Sequence, residues 1–246
     1  MYSYAYPHPA VTVDIVIFTV RDEQLKLLLI RRAGEPYQGK WALPGGFIHL
    51  DETLETSARR ELEEETGVSG VYLEQLYTFG APERDPRERV ITVAYYALIP
   101  SDKLQLRAAT DAEAVGWFGM DELPDLAFDH PDIIATAHQR LVAKLDYSTI
   151  AFQFLGRDFT LSELQSVYEI ILREELDKRN FRKWALALEQ IEESGRERRH
   201  GAHRVLTTLV LLAVLVAPVE GGDDLETLDG LLLALGRQRS LTLGRV

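Results

Sequence analysis

The 246-residue chain is 46% hydrophobic and 27% charged, the balance of an ordinary globular protein, which excludes whole-chain disorder and collagen-like repeats. It contains no cysteine, so disulfide frameworks, zinc fingers and thiol nucleophiles are excluded and a reducing cytoplasm is the expected compartment. The net charge of -12 is uneven: residues 1–150 carry 14 Lys+Arg against 24 Asp+Glu, residues 151–204 carry 10 of each, and residues 205–246 carry 3 against 5.

The first residues, Met1 to Pro9, lack the basic flank and apolar core of a signal peptide. Residues 10–20 and 25–31 are aliphatic and β-branched and predict two strands joined by the polar turn Arg21-Asp22-Glu23. Six Gly and Pro residues make 34–46 a loop, and 52–66 predicts a helix stopped by Gly67. Strands follow at 71–79, 90–99 and 113–118, and a helix at 131–145. A second domain begins near residue 150. Thr160 and Glu163 make a capping box for a helix running to about Leu172, and Asp177 caps another over roughly 178–191. Two short helices around a tight turn fit a helix-turn-helix, with Gly195 to Gly201 as a basic loop. Residues 205–219 are almost wholly apolar, but the run stops at Pro218, short of the roughly 20 residues a membrane helix needs. A buried helix or a partner-binding segment is expected there instead.

The chemistry concentrates in Gly46-(five residues)-Glu52-(seven residues)-Arg60-Glu61-Leu62-Glu63-Glu64-Glu65-Thr66-Gly67. On a helix, Glu61, Glu64 and Glu65 share one face, where they would repel one another. A divalent cation resolves the repulsion, and hard oxygen ligands select Mg2+ or Mn2+. Arg60 and Glu52 read as groups that orient those carboxylates. Gly45 and Gly46 would let the backbone approach a ligand, with a glycine carbonyl as a further metal ligand. Glu63 points elsewhere, to the surface.

This pattern resembles the Nudix hydrolases, whose box is filled here at every fixed position. The resemblance implies an α/β (α+β) fold, an α/β/α sandwich with a mixed sheet. It also implies metal-assisted cleavage of a nucleoside diphosphate linked to another moiety, with Glu61, Glu64 and Glu65 on the metal. The general base is left open between Glu65 and a downstream carboxylate such as Glu113, itself equally readable as a solvated residue. Further segments narrow the likeness: Ala42-Leu43-Pro44-Gly45-Gly46-Phe47, Tyr72 to Gly80, Arg84-Asp85-Pro86-Arg87, Leu126 to His130, and Phe159 through Arg182. They are similar to a subgroup with a C-terminal winged helix, the Nudix-related transcriptional regulators of NAD metabolism and their hydrolytic relatives.

Many such regulators have an altered box, whereas the box here is intact, which favours a magnesium-dependent hydrolase. The resemblance implies binding of ADP-ribose or a similar nucleoside diphosphate, operator DNA as a partner, and a homodimer matched to a palindromic site. The residues themselves leave two readings for the second domain, a solvated basic face or a DNA contact through Lys178, Arg179, Asn180, Arg182 and Lys183 on a recognition helix and Arg196, Arg198 and Arg199 on the wing loop. Phe181, Trp184, Leu186 and Leu188 would face the core. Arg84, Arg87 and Arg89 could hold phosphate or ribose, or be exposed. Tyr37 and Trp41 could stack on adenine, with Trp41 equally a core residue. The alternative to a regulator is a plain ADP-ribose pyrophosphatase with a structural second domain. The domain limits are 1–148 and 149–204, with 205–246 unassigned; from Val205 onward the resemblance stops, the leucine-rich tail standing where the family's wing has an aromatic strand, which leaves a wing that is incomplete, replaced, or altered by a change of reading frame.

Overall fold

The computed structural model describes residues 5–100, 112–188, 190–200 and 204–211, with the backbone alone at 112–113, 196–200, 204–207 and 211. The chain divides into two compact units, Met1–Arg140 and Leu141–Val246.

The first unit is built on a mixed sheet. Strand β1 (Ala10–Arg21) turns into β2 (Gln24–Arg32) through Asp22 and Glu23 alone. Both turn residues have positive φ, 52° and 57°, the geometry whose twist suits a two-residue hairpin. Short strands β3 (Trp41–Ala42) and β4 (Gly45–Phe47) pair with β2 and β1. Strand β5 (Tyr72–Phe79) is antiparallel to β6 (Val90–Leu98), which runs parallel to β1, and β7 (Ala112–Gly119) pairs with β2. The order is β3-β2-β1-β6-β5, with β4 and β7 attached to β1 and β2.

Alternation along β1 sends Val13, Ile15 and Ile17 into a core with Val93, Tyr95, Ala97 and, from helix α1 (Leu54–Thr66), Ala58 and Leu62. Val16 and Phe18 point the other way and are equally buried, so both faces of the sheet are covered. Helix α2 (His130–Lys144) contributes Ile133, Ile134 and Ala137 to the buried set, and Arg140 near its end donates to the Leu76 carbonyl of β5. Helix α1 starts at Leu54 rather than at 52, because the Thr53 hydroxyl accepts from the Thr56 N–H and caps it there. Gly67 ends it in the left-handed conformation, its N–H returning to the Glu63 carbonyl.

In the second unit a 3-10 turn (Ile150–Phe154) precedes helix α3 (Leu161–Leu172). The expected capping box is present, Thr160 accepting from Glu163 N–H while the Glu163 carboxylate accepts from Thr160 N–H. Helix α4 (Lys178–Ala187) is capped by Asp177. It is shorter than the sequence suggests because a strand, β8 (Ile191–His200), begins soon after. The basic stretch from Gly195 is therefore a strand and not a loop up to His200. Strand β9 (Arg204–Leu211) pairs antiparallel with it.

The expectation of an incomplete wing is thus corrected. The first residues of the apolar run, Val205 to Leu211, are β-rich and supply the missing strand, with Thr208 and Leu209 buried. The rest of the run lies outside the described residues. Tyr168, Phe181 and Trp184 form an aromatic core with centroids 5.2–5.5 Å apart. Leu186 does not join them and is exposed, since helical spacing from Phe181 runs through Trp184, Ala185 and Leu188. Among the described residues no helix is long and apolar enough to cross a membrane.

Candidate active site and nucleic-acid-facing helix

Glu61 and Glu65 are buried on the inner face of α1, Glu64 is one step outward and largely exposed, and Glu63 is exposed as expected. Arg60 ties the group together. Its Nε and Nη2 donate to the two Glu52 oxygens at 2.8 and 3.2 Å, and its Nη1 donates to Glu61 at 2.8 Å and Glu64 at 3.1 Å. Hydrogen bonding from Arg60 pulls the Glu52 carboxyl down to about 2. Burial pushes the Glu61 carboxyl up against the pull of Arg60. Glu52 sits ahead of the helix, where its backbone N–H meets the His49 carbonyl.

The two glycines make room for the chain itself. A Cβ on Gly45, whose φ is 154°, would stand 2.1 Å from the Val13 carbonyl oxygen, and one on Gly46 would stand 2.4 Å from Glu61 Oε1. Glu61 is thus packed against a bare backbone. The donor set suits Mg2+, being hard carboxylate oxygens on one helix face beside a glycine backbone. Arg60 already engages two of the three glutamates, and among the described residues no three acidic or histidine side chains converge on a ready-made cation position. A cation there would compete with Arg60 for Glu61 and Glu64.

Beside the glycines lies a pocket of about 180 Å³ whose walls include Thr12, Asp14, Arg32, Arg84, Arg87 and Phe128. Arg84 is buried with its charge already met: it is bidentate to Asp129 at 2.8 and 2.9 Å and reaches Asp14 at 3.2 Å. Burial works to lower its pKa, yet Asp129 and Asp14 hold it above the ordinary value. Arg87 is half-exposed and bidentate to Asp85, whose carboxyl it pulls down. Arg89 is exposed and donates to the Ala81 carbonyl. Tyr37, at φ 65°, sets its ring edge-on to Phe128 at 4.8 Å, whereas Trp41 packs on Phe118 at 4.7 Å in the body of the sheet. Glu113 falls on β7, and its side chain lies outside the described residues.

Four participants are not evident in the sequence. Asp14 and Asp129 bind Arg84 from 70 and 45 residues away. His130 accepts from the Leu43 N–H at 2.8 Å through Nδ1, which leaves Nε2 toward Asp14 at 3.7 Å. Burial pushes its pKa down, so the neutral ring anchors the loop that leads to Gly45. Arg32, at the end of β2, lies over the Phe128 ring at 4.9 Å. The one sequence signal for Arg32 is its place just before the Gly- and Pro-rich loop.

In the second unit, Lys178, Arg179, Arg182 and Lys183 are exposed on α4, and Asn180 is half-buried. The turn before α4 is locked, since Gln165 donates to the Leu176 carbonyl at 2.8 Å and Leu176 N–H donates to Glu169 at 2.9 Å. The α4 cations are therefore presented from a fixed frame. Arg196, Arg198 and Arg199 fall on β8, and their side chains lie outside the described residues.

The comparisons with known proteins divide the chain in the same way. The NUDIX domain model matches residues 8–137, and the model of the NrtR DNA-binding winged helix domain matches residues 151–206. An ADPR responsive transcriptional repressor, NtrR, of Acinetobacter baylyi is 40% identical over 200 residues, 80% of this chain and 80% of that protein. An ADP-ribose pyrophosphatase of Methanocaldococcus jannaschii is 40% identical over 129 residues, 52% of this chain and 73% of that protein. The crystal structure of Shewanella oneidensis NrtR complexed with a 27mer DNA superposes with a TM-score of 0.73 at 38% identity, covering 82% of this chain and 93% of the other.

Proposed function

The chain belongs to the Nudix family, in the group whose Nudix domain is followed by an NrtR winged helix domain, and from this membership we propose that it is an ADP-ribose-responsive transcriptional repressor of NAD metabolism that also keeps a hydrolase site. The observation that carries the reading is the presence in one chain of a complete glutamate set with its Arg60 frame and an exposed basic helix on a rigid turn.

ADP-ribose, or a closely related nucleoside diphosphate, takes the pocket beside Gly45 and Gly46. Arg84 and Arg87 are in its walls, Tyr37 backs Phe128, and Arg89 precedes Val90 of the wall in the chain. Glu61, Glu64, Glu65 and the Gly45 carbonyl would hold Mg2+ or Mn2+, which supplies charge neutralisation of a pyrophosphate and an acidified water. Glu52 and Arg60 position those carboxylates. Lys178, Arg179, Asn180, Arg182 and Lys183 contact operator DNA from α4, with Arg196, Arg198 and Arg199 on the wing. The protein works in the cytoplasm as a homodimer on a two-fold operator, its two domains meeting near residues 148 and 149.

The second reading, an ADP-ribose pyrophosphatase with a structural C-terminal domain, is favoured by the intact glutamates and the archaeal relative. Two assays separate them. Salt-dependent binding to the chain's own upstream DNA, altered by ADP-ribose, supports the repressor. Magnesium-dependent release of AMP and ribose 5-phosphate without DNA binding supports the plain enzyme.

A further inference from the structure

The charges lining the pocket do not cancel. Arg32, Arg84 and Arg87 face it with Asp14 and Asp85, and His130 is held neutral by burial. Arg84 is satisfied by Asp14 and Asp129, and Arg87 by Asp85. Arg32 has no carboxylate in ion-pair contact among the described residues; it donates through Nε to the Pro36 carbonyl at 2.8 Å and through Nη2 to that of Gly34 at 3.5 Å. Burial, and then the neighbouring Arg87 charge, lower its pKa against the opposing pull of Asp85, Asp14 and Glu35, none of which is in ion-pair contact with it among the described residues.

The surrounding backbone is irregular at the same spot. The β2–β7 register shifts between Arg31 and Arg32, which pair with Ala114 and Ala112, so β7 carries an extra residue opposite Arg32. Phe128, the ring beneath Arg32, sits at φ 53°, a conformation that a bulky residue rarely adopts and that clusters at ligand sites. Arg87 spans the gap between the Phe47 and Phe128 rings at 5.6 and 6.0 Å. The Thr12 hydroxyl, on a buried residue of the pocket wall, has no hydrogen-bond partner among the described residues. The pocket is also smaller than the roughly 300 Å³ or more that a whole drug-sized ligand fills, so it takes one portion of a nucleotide and not all of it.

We propose that Arg32 and Arg87, held on the Phe128 ring, form an anion seat for a phosphate of the bound ligand, with Thr12 as a neutral donor and Arg32 as the residue that sets specificity for that phosphate. The proposal rests on the nucleotide reading of the pocket. Its chemistry is that of a phosphoanhydride oxygen set against the guanidinium N–H groups that Asp85 leaves open on Arg87 and the Pro36 and Gly34 carbonyls leave open on Arg32.

The test uses the full chain and titration calorimetry with ADP-ribose, alongside thermal melts with inorganic pyrophosphate. Variants are Arg32→Gln, Arg32→Lys and Arg87→Gln, with Arg21→Gln on the exposed hairpin as a charge-matched control. Arg32→Gln and Arg87→Gln are expected to weaken ADP-ribose about tenfold or more and to abolish the pyrophosphate-induced rise in melting temperature. Arg32→Lys restores only part of the affinity, because a point charge cannot replace the fork. If the wild-type chain binds ADP-ribose and both Gln variants stay within about twofold of it, the seat is wrong while the nucleotide reading stands. If the wild-type chain does not bind ADP-ribose, the nucleotide reading fails, and the pyrophosphate melts alone decide the seat. A rise that Arg32→Gln and Arg87→Gln both lose upholds it; no rise, or a rise that the variants share, overturns it.

Discussion

Replacing Gly46 with alanine tests whether Glu61 owes its position to a missing side chain. The added Cβ would lie 2.4 Å from Glu61 Oε1 and 2.9 Å from its Cδ. Ordinary contact needs about 3.4 Å or more, so the carboxylate must retreat by about 1 Å. Backbone cannot yield easily, since Gly46 is paired to Val13 in the β1–β4 ladder. Glu61 can move, but only by stretching its 2.8 Å bond to Arg60. Overpacking of this kind costs about 1–3 kcal/mol, and the lower end applies because a side-chain terminus gives way. A misplacement of about 1 Å in a catalytic group can cost on the order of 100-fold in rate. Gly46→Ala is therefore expected to melt a few degrees below wild type while losing about 100-fold in magnesium-dependent ADP-ribose turnover. Gly34→Ala, where the added carbon meets nothing within 4 Å, should leave both quantities unchanged. The double variant Gly46→Ala/Glu61→Asp should regain stability by withdrawing the carboxylate, yet regain no activity. Full turnover in Gly46→Ala would refute the claim that this backbone seats Glu61.

Arg84→Met strands Asp14 and Asp129 in a buried site and is expected to cost about 3–5 kcal/mol, read from urea unfolding. Loss below about 1 kcal/mol would mean that water already serves those carboxylates. His130 is neutral in the fold and takes up a proton in the unfolded chain as pH drops below about 6.5. The unfolded state then binds more protons, so stability falls as pH falls from 7 toward 5. The difference in unfolding free energy between wild type and His130→Gln should change over that window, and a pH-independent difference would contradict the neutral-ring assignment. Arg179→Ala and Arg182→Ala should each lower the slope of log affinity for operator DNA against log salt by about 1. Unchanged slopes in filter binding would remove α4 from the interface.

The legible parts of the sequence were those set by short-range spacing. Glu61, Glu64 and Glu65 declare a common face at helical period, Thr160 and Glu163 declare a cap, and a Gly follows α1 where the helix stops. The parts that stayed hidden depend on chain segments meeting from far apart. Arg84 reads as a ligand arginine until Asp14 and Asp129 arrive beside it. Arg32 gains its place over the ring of the left-handed Phe128, 96 positions away, which has no local signature. The wing is hidden because an apolar run is ambiguous between helix and strand, and only pairing with β8 decides. Hydrophobicity alone points Leu186 to the core, while the helical period puts Ala185 there.

The backbone exchange between Phe159 and Leu209 bears on how the second unit comes into being. Phe159 N–H donates to the Leu209 carbonyl at 3.0 Å and Leu209 N–H donates back at 2.6 Å, although 50 positions separate the two residues. Phe159 stands just ahead of the Thr160 cap, so the start of α3 is fastened to the last described strand. Helices α3 and α4 have local contacts and can form early, whereas this fastening must wait until β9 has been synthesised. During translation the first unit can close around its own sheet while the second is still incomplete. A ribosome stalled with residue 209 still inside its exit tunnel would hold a nascent chain with a finished first unit and an unlatched second, and a protease pulse on that stalled complex would cut the second unit and spare the first.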